Sequence, residues 1–367
     1  MSRQEQDIEG VTESFYRKGK TDGLPVVPPS EERVERMLEG TDLPRDEVIG
    51  RLGTREGALT VEKLAVNGVM AGCLPIHMPL LVAGARALAD PKSNAIQASV
   101  STGSWAYLFV VNGPIRRALD VNSDTAAFGP GFRTNRTVGR ALGLAYKNTA
   151  RIHPGEKEMA TIGNPFKFSL FAGENEERSP WEPLHVERGY DRDDSTITFA
   201  APNNFLQYKF EAGPRGDQEM VESLIRNTPP HMVGLKTETA NERYEGAQLE
   251  VFYALCPYNA QELEAYTKAE IKEYISENAR RRADELSGLG GGNAEDDGLQ
   301  SLWRRQFADP ERIKLFVTGG SGRFNAAMGP TLGGPTTKRV ELPDNWDALL
   351  ERYGDGLDRE WGQAGGG

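Results

Sequence analysis

Two cysteines in 367 residues exclude a disulfide-built scaffold and fit a reducing compartment. Histidine is nearly as scarce, with four. No apolar run reaches the roughly 20 residues that cross a bilayer, and Met1 to Gly10 is too acidic and polar for a secretory signal. Basic charge is in deficit. Lys and Arg number 43 against 54 Asp and Glu, a net −11 that argues against nucleic acid or an anionic membrane as the main partner. No internal repeat is apparent. These absences point to a cytoplasmic globular protein long enough for one large domain or two.

What is present centres on Leu59 to Pro91, two apolar helical patterns separated by a short break that holds Cys73 and His77. Thr60 is a good N-cap for the first, with Val61, Leu64, Ala65 and Val69 at helical spacing. Gly72 can end it in a left-handed turn, and Pro79 suits the first turn of the second. Leu80 to Ala89 is apolar on nearly every face and should be buried. A cysteine ahead of a helix N-terminus is expected to ionise more readily, with His77 as proton acceptor or metal neighbour. The alternative is a small apolar cysteine in the core.

Two further stretches carry chemistry. Phe128 to Arg136, FGPGFRTNR, is a glycine-rich loop running into a helix, and it is neither a Walker loop nor G-x-G-x-x-G. Gly129, Gly131, Arg133, Asn135 and Arg136 suit a carboxylate or phosphate there, or else form a tight turn with solvated arginines. Glu174 to Glu187 holds five carboxylates and a histidine around a Trp and two prolines. If Leu184 to Arg188 is extended, His185 and Glu187 share a face, as metal ligands or an acid–base pair. Glu176 and Glu177 are further proton-transfer candidates. Gly319 and Gly320 follow a strand pattern at Arg312 to Val317, where open α/β sheets place ligands. In the Thr21 to Pro29 segment, Asp22 and Gly23 either line a site or belong to a rigid connector.

The expected fold is mixed α/β. One large domain spans 1–287, helical over 1–90, with a central mixed sheet. A flexible linker follows at 288–298, then a C-terminal extension at 299–353 with the strand and glycine loop, and a disordered tail at 354–367. Ala106 to Val111, Phe166 to Ala172, Ser195 to Ala200, Met232 to Leu235 and Ala247 to Leu255 read as strands. A long helix is expected from Asn259 to about Leu286.

Five segments in order, TDGLPVVPP (Thr21 to Pro29), VNGVMAGCLPIHMP (ending at Pro79), VNGPI (Val111 to Ile115), FGPGFRTNRTVGRAL (Phe128 to Leu142) and ENEERSPWEPLHVERG (Glu174 to Gly189), resemble a widespread, poorly characterised bacterial family. Its members are encoded beside small proteins of the UGSC-motif group, which carry a Cys or selenocysteine. The resemblance implies a small-molecule enzyme whose cysteine follows Ala71-Gly72, working with a thiol or selenol partner. Three functions are expected to compete: an enzyme using Cys73 as nucleophile or redox thiol on a small anionic substrate, a metal-dependent lyase or hydratase using His185 and Glu187, and a non-catalytic subunit of a UGSC-type enzyme. The sequence demands no cofactor, and an oligomer, heteromeric with the UGSC-type partner, is expected.

Overall fold

The computed structural model describes residues 3–54, 57–209, 217–226, 250–282, 303–307 and 309–357. The expected strand at Met232 to Leu235, the linker at 288–298 and residues 358–367 lie outside them.

The mixed α/β fold is found, and its strands divide between two four-stranded sheets. Sheet 1 joins β3 (Leu108–Asn112), β4 (Leu170–Gly173), β5 (Thr196–Ala200) and β12 (Thr336–Arg339) in the order β12-β5-β3-β4. Sheet 2 joins β6 (Phe205–Lys209), β7 (Val251–Leu255), β10 (Ile313–Val317) and β11 (Phe324–Met328) in the order β10-β7-β11-β6. Two two-stranded antiparallel sheets, β1 (Val48–Leu52) with β2 (Gly57–Thr60) and β8 (Arg280–Arg282) with β9 (Trp303–Arg305), are separate from both in hydrogen bonding.

Alternation along each inner strand explains the stacking. In sheet 1, Leu108, Val110, Leu170 and Ala200 face Phe252, Ala254, Phe316, Ala326 and Met328 of sheet 2 in one apolar cluster. The intervening residues Phe109, Val111, Phe171, Ile197 and Phe199 join a second cluster with helices α3 (Val61–Ala71), α4 (Met78–Ala89) and α7 (Arg133–Ala150). On the far side, Tyr253, Leu255, Leu315 and Val317 pack against α9 (Asp217–Arg226) and α11 (Lys268–Asn278). The layers therefore run helix, sheet, sheet, helix. Strands covered on both faces read as continuous apolar runs, as Ala106 to Val111 does.

The two sheets repeat one pattern. In each, a central strand pairs in parallel with the strand reached through helices, β3 with β4 and β7 with β10. A later strand, β5 or β11, pairs antiparallel on the other side. The outermost strand is exchanged: β6 follows β5 in the chain but pairs with β11, and β12 follows β11 but pairs with β5. The crossing is marked by a bridge between Pro202 and Thr331. The match eluded the sequence because the paired strands share a burial pattern and few letters.

Several expected boundaries move. Asn259 to Leu286 is not one helix within its described part: α10 (Pro257–Glu262) ends, Thr267 caps α11, and Arg280 starts β8. The expected strand from Phe166 shortens to β4, preceded by a 3-10 turn at Pro165–Lys167. The segment expected as an extension supplies two strands of sheet 2 and the edge of sheet 1, then α12 (Trp346–Tyr353). Gly354–Leu357, assigned above to the tail, forms a 3-10 turn with Leu357 buried. The remaining helices are α1 (Arg3–Arg17), α2 (Glu31–Leu38), α5 (Ala95–Val100), α6 (Ile115–Ala118) and α8 (Leu184–Glu187). Thr60 caps α3, as expected, and Ser30 caps α2.

Phe109 sits fully buried with its ring centroid 6.1 Å from Phe171 and 5.1 Å from Phe199. Phe109→Ala should cost about 3–5 kcal/mol of folding stability, read as a lowered urea midpoint at unchanged slope.

Candidate functional site

Cys73 belongs to the end of α3 rather than the start of α4. Gly72 takes φ +89°, and the Cys73 amide closes the helix by donating to Gly68 O at 2.9 Å. A 3-10 turn at Pro75–His77 then intervenes before α4 begins at Met78. The thiol is thus near the carbonyl end of one helix, and the expected dipole assistance is missing. Burial pushes it up to about 12, against smaller opposing effects from the Thr137 hydroxyl and the Arg133 and Arg140 charges. This reverses the direction expected from the sequence. Cys73 packs half-buried against the main core.

His77 is not placed to activate that thiol. Leu74 N–H donates to its Nδ1 at 3.0 Å, and its Nε2 lies 3.2 Å from Thr134 Oγ1, which itself donates to Leu119 O at 2.6 Å. The network puts the ring proton on Nε2 and uses both nitrogens. Burial, with a lesser contribution from Arg133, lowers this imidazole to about 3. The residue is a neutral strut between the α3–α4 break and the start of α7.

The loop before α7 also differs from its expected role. The fully buried Asn135 accepts from Asn122 N (2.8 Å) and donates to Asn122 O, Ala127 O and Phe171 O. Arg136 donates to Phe128 O, Ser169 O and Phe171 O, the last at 2.7 Å. Both side chains hold backbone rather than reaching for an anion. Exposed Arg133 donates to Gly356 O at 2.8 Å. Gly129 closes a turn onto Ala126 O, and Gly131 takes φ +110°. Gly320 permits a close approach, since a Cβ there would lie 1.9 Å from Thr125 Oγ1, while Gly319 N–H donates to Ser123 O at 2.9 Å.

At the carboxyl ends of β3 and β4 the acidic segment builds a buried polar network. Arg116, 3% exposed, meets Glu176 at 3.0 Å and grips both oxygens of Glu177 at 3.0 and 3.2 Å. Burial alone would raise Glu177, but Arg116 outweighs it and holds the carboxyl below its ordinary value. Glu174 is fully buried; its Oε2 accepts from Asn112 Nδ2 (2.6 Å) and Leu184 N (2.7 Å). Burial raises its carboxyl, opposed by Lys268 and these two donors.

His185 and Glu187 are not brought together. Leu184–Glu187 is the single helical turn α8, so residues two apart point to different sides, contrary to the extended reading. His185 Nε2 faces Arg192 O at 3.3 Å. Glu187 contacts Lys268 and Lys272, and although burial opposes it, these lysines hold its carboxyl below the ordinary value. Among the described residues no three His, Cys, Asp or Glu stand together as metal ligands, and no helix is long and apolar enough to cross a membrane.

A different face of α7 gathers the groups best placed for a small ligand. Arg133, Thr137, Arg140, Leu144 and Lys147 follow one another at helical spacing. From Arg140 to Lys147 this stripe lines a cavity of about 260 Å³, walled by Tyr107, Tyr146 and Phe168 and reached by Asp22, Glu158 and Lys167. Arg140 clamps Asp22 with two bonds of 2.7 and 2.8 Å. Lys167 pairs with Glu158, whose Oε1 is buried without a partner. Lys147 donates to Gly19 O. Its amine is lowered, first by burial and then by Lys20. Burial keeps the Tyr107 phenol protonated well above its ordinary range. Of the residues expected at a site, only Asp22 lines this cavity. The sequence shows Arg133, Thr137, Arg140 and Lys147 at helical spacing, but α7 carries polar residues on other faces as well, which hid the stripe. Lys167 and Glu158, from a loop of no pattern, were not readable.

No family model and no curated protein matches the chain.

Two outcomes follow for these groups. Iodoacetamide at neutral pH should alkylate native Cys73 at least about a hundredfold more slowly than a free cysteine, because so little thiolate is present. Peptide mass spectrometry would read the rate. For His77, the unfolded imidazole takes up a proton below pH 6.5 while the folded one stays neutral to about 3. Its contribution is therefore complete above 6.5 and falls away toward 3, by up to about 1.4 kcal/mol per pH unit. Urea midpoints across that window should fall less steeply for His77→Gln than for the wild type.

Proposed function

We propose that the chain is a cytosolic enzyme acting on a small organic anion bound in the α7 cavity. The observation that carries this reading is a partly desolvated amine, Lys147, in one apolar-walled cavity with two further cations, Arg140 and Lys167. Among the described residues two carboxylates, Asp22 and Glu158, stand against these three positive charges, so one negative charge on a ligand completes the balance in the resting site. The volume holds roughly eight or nine waters at about 30 Å³ each, the size of a small carboxylic acid with an apolar body. Arg140 and Lys167 orient the carboxylate. Lys147, with its affinity for protons reduced by burial, releases its own proton to solvent and, as the neutral amine, takes one from the carbon beside a carbonyl group of the ligand, while the protonated Tyr107 phenol donates to that carbonyl's oxygen.

A second reading keeps the thiol chemistry that the family resemblance implies, with Cys73 working beside a UGSC-type partner. Its support is the grouping of Thr137, Arg133 and Arg140 about the sulfur. A thiol raised to about 12 needs a bound substrate or partner to bring the thiolate into use, and alkylation that accelerates when a thiol or selenol partner is added would favour this reading.

Deuterium exchange tests the first reading. Small 2-oxo acids incubated with the protein in heavy water should lose their C3 proton signals by NMR, and Lys147→Met should slow this by roughly 10²-fold or more. Exchange unaffected by Lys147→Met, or absent from the whole panel, would sink the assignment.

A further inference from the structure

On the other side of the C-terminal end of α7 lies a larger cleft of about 690 Å³, bounded by the end of α1, by β2 and by α3. Its charge runs against that of the whole chain. Lys18, Lys20, Lys63, Arg151 and Lys157 line it, in a protein of net charge −11. Glu62, the one carboxylate among the described lining residues, is engaged by Arg45. Lys63 and Lys157 donate to the carbonyls of Ala58 and Ala150, which position their ammonium groups without neutralising them. Lys18, Lys20 and Arg151 meet no carboxylate within 4.0 Å among the described residues. Five like charges converging on one concavity repel one another, and a bound anion relieves that repulsion. Part of the wall is apolar, from Phe15, Val66 and Met70.

We propose that this cleft is a second ligand site, for an organic phosphate that carries at least two negative charges and an apolar or aromatic body. The phosphates lie among Lys18, Lys20 and Arg151, and the body rests on Phe15 and Met70. A single phosphate would leave most of the positive charge uncompensated, whereas a diphosphate reaches several of the cations at once. The volume falls in the range of sites for molecules of nucleotide size. This inference does not rest on the reaction proposed for the α7 cavity, and the lining residues of the two differ.

Calorimetric titration of the full chain with adenosine 5′-diphosphate and with inorganic pyrophosphate, at about 0.15 M salt, tests it. Saturable binding of the nucleotide is expected, with pyrophosphate weaker because it lacks the body. Lys18→Ala with Lys20→Ala, two exposed side chains, should weaken the nucleotide tenfold or more while leaving the melting temperature of the free protein unchanged. Lys167→Met, in the other cavity, should leave nucleotide affinity intact. Absence of saturable binding, equal binding of pyrophosphate, or an affinity indifferent to the paired lysine substitution would each overturn the proposal. Loss of binding in Lys167→Met would move the ligand to the other cavity and overturn it as well.

Discussion

The buried Asn135 amide fixes the frame on which the site is built. It accepts from one backbone N–H and donates to three carbonyls, from Asn122, Ala127 and Phe171. Asn122 and Ala127 belong to the one loop that joins α6 to α7 and Phe171 to strand β4, so one side chain sets that loop, α7 and β4 against one another. Removing it would orphan several buried backbone groups at once, each costing about 1–3 kcal/mol. Arg136 supports the same junction from the next position. With these two turned inward, helical spacing presents Thr137, Arg140 and Lys147 on another side of α7. The positioning of the cavity is a consequence of a helix anchored at its first turn.

The two sheets differ in chemistry where their topology is most alike. By register, Asn112 at the end of β3 corresponds to Cys256 at the end of β7, and Glu174 after β4 to Thr318 after β10. In the first half these positions hold a buried carboxylate and its amide donor. In the second, the Cys256 thiol donates to Gly322 O at 3.2 Å and Thr318 Oγ1 donates to Gly173 O at 2.9 Å, which ties the second half to the first. One end is a charged network and the other a neutral fastening.

Much of the fold was legible where the physical signal is local. The Thr60 cap, the left-handed Gly72, the burial of Leu80 to Leu88 and the apolar β3 all follow from side-chain chemistry within a few residues. The site was less legible because its meaning depends on distant partners. Arg136 and Asn135 have the composition of an anion site, yet carbonyls from over thirty residues away claim them. Cys73 precedes a helix in sequence, but the hydrogen bond that matters ties it to the helix before. His185 and Glu187 depended on a strand assignment, and a single turn after Pro183 separates them. Asp22 was marked from its setting among glycine and prolines, and Arg140, 118 residues on, gives it a role.

The exchange of edge strands has a mechanical outcome. A chain severed between Lys209 and Glu250 would yield two fragments, each holding a strand that completes the other's sheet. Parting them would require unzipping β6 from β11 and β12 from β5 together, and would open the shared core that Leu108 forms with Phe252 and Phe316. The fragments would remain interlocked like clasped hands, and unfolding of either sheet would bring down both.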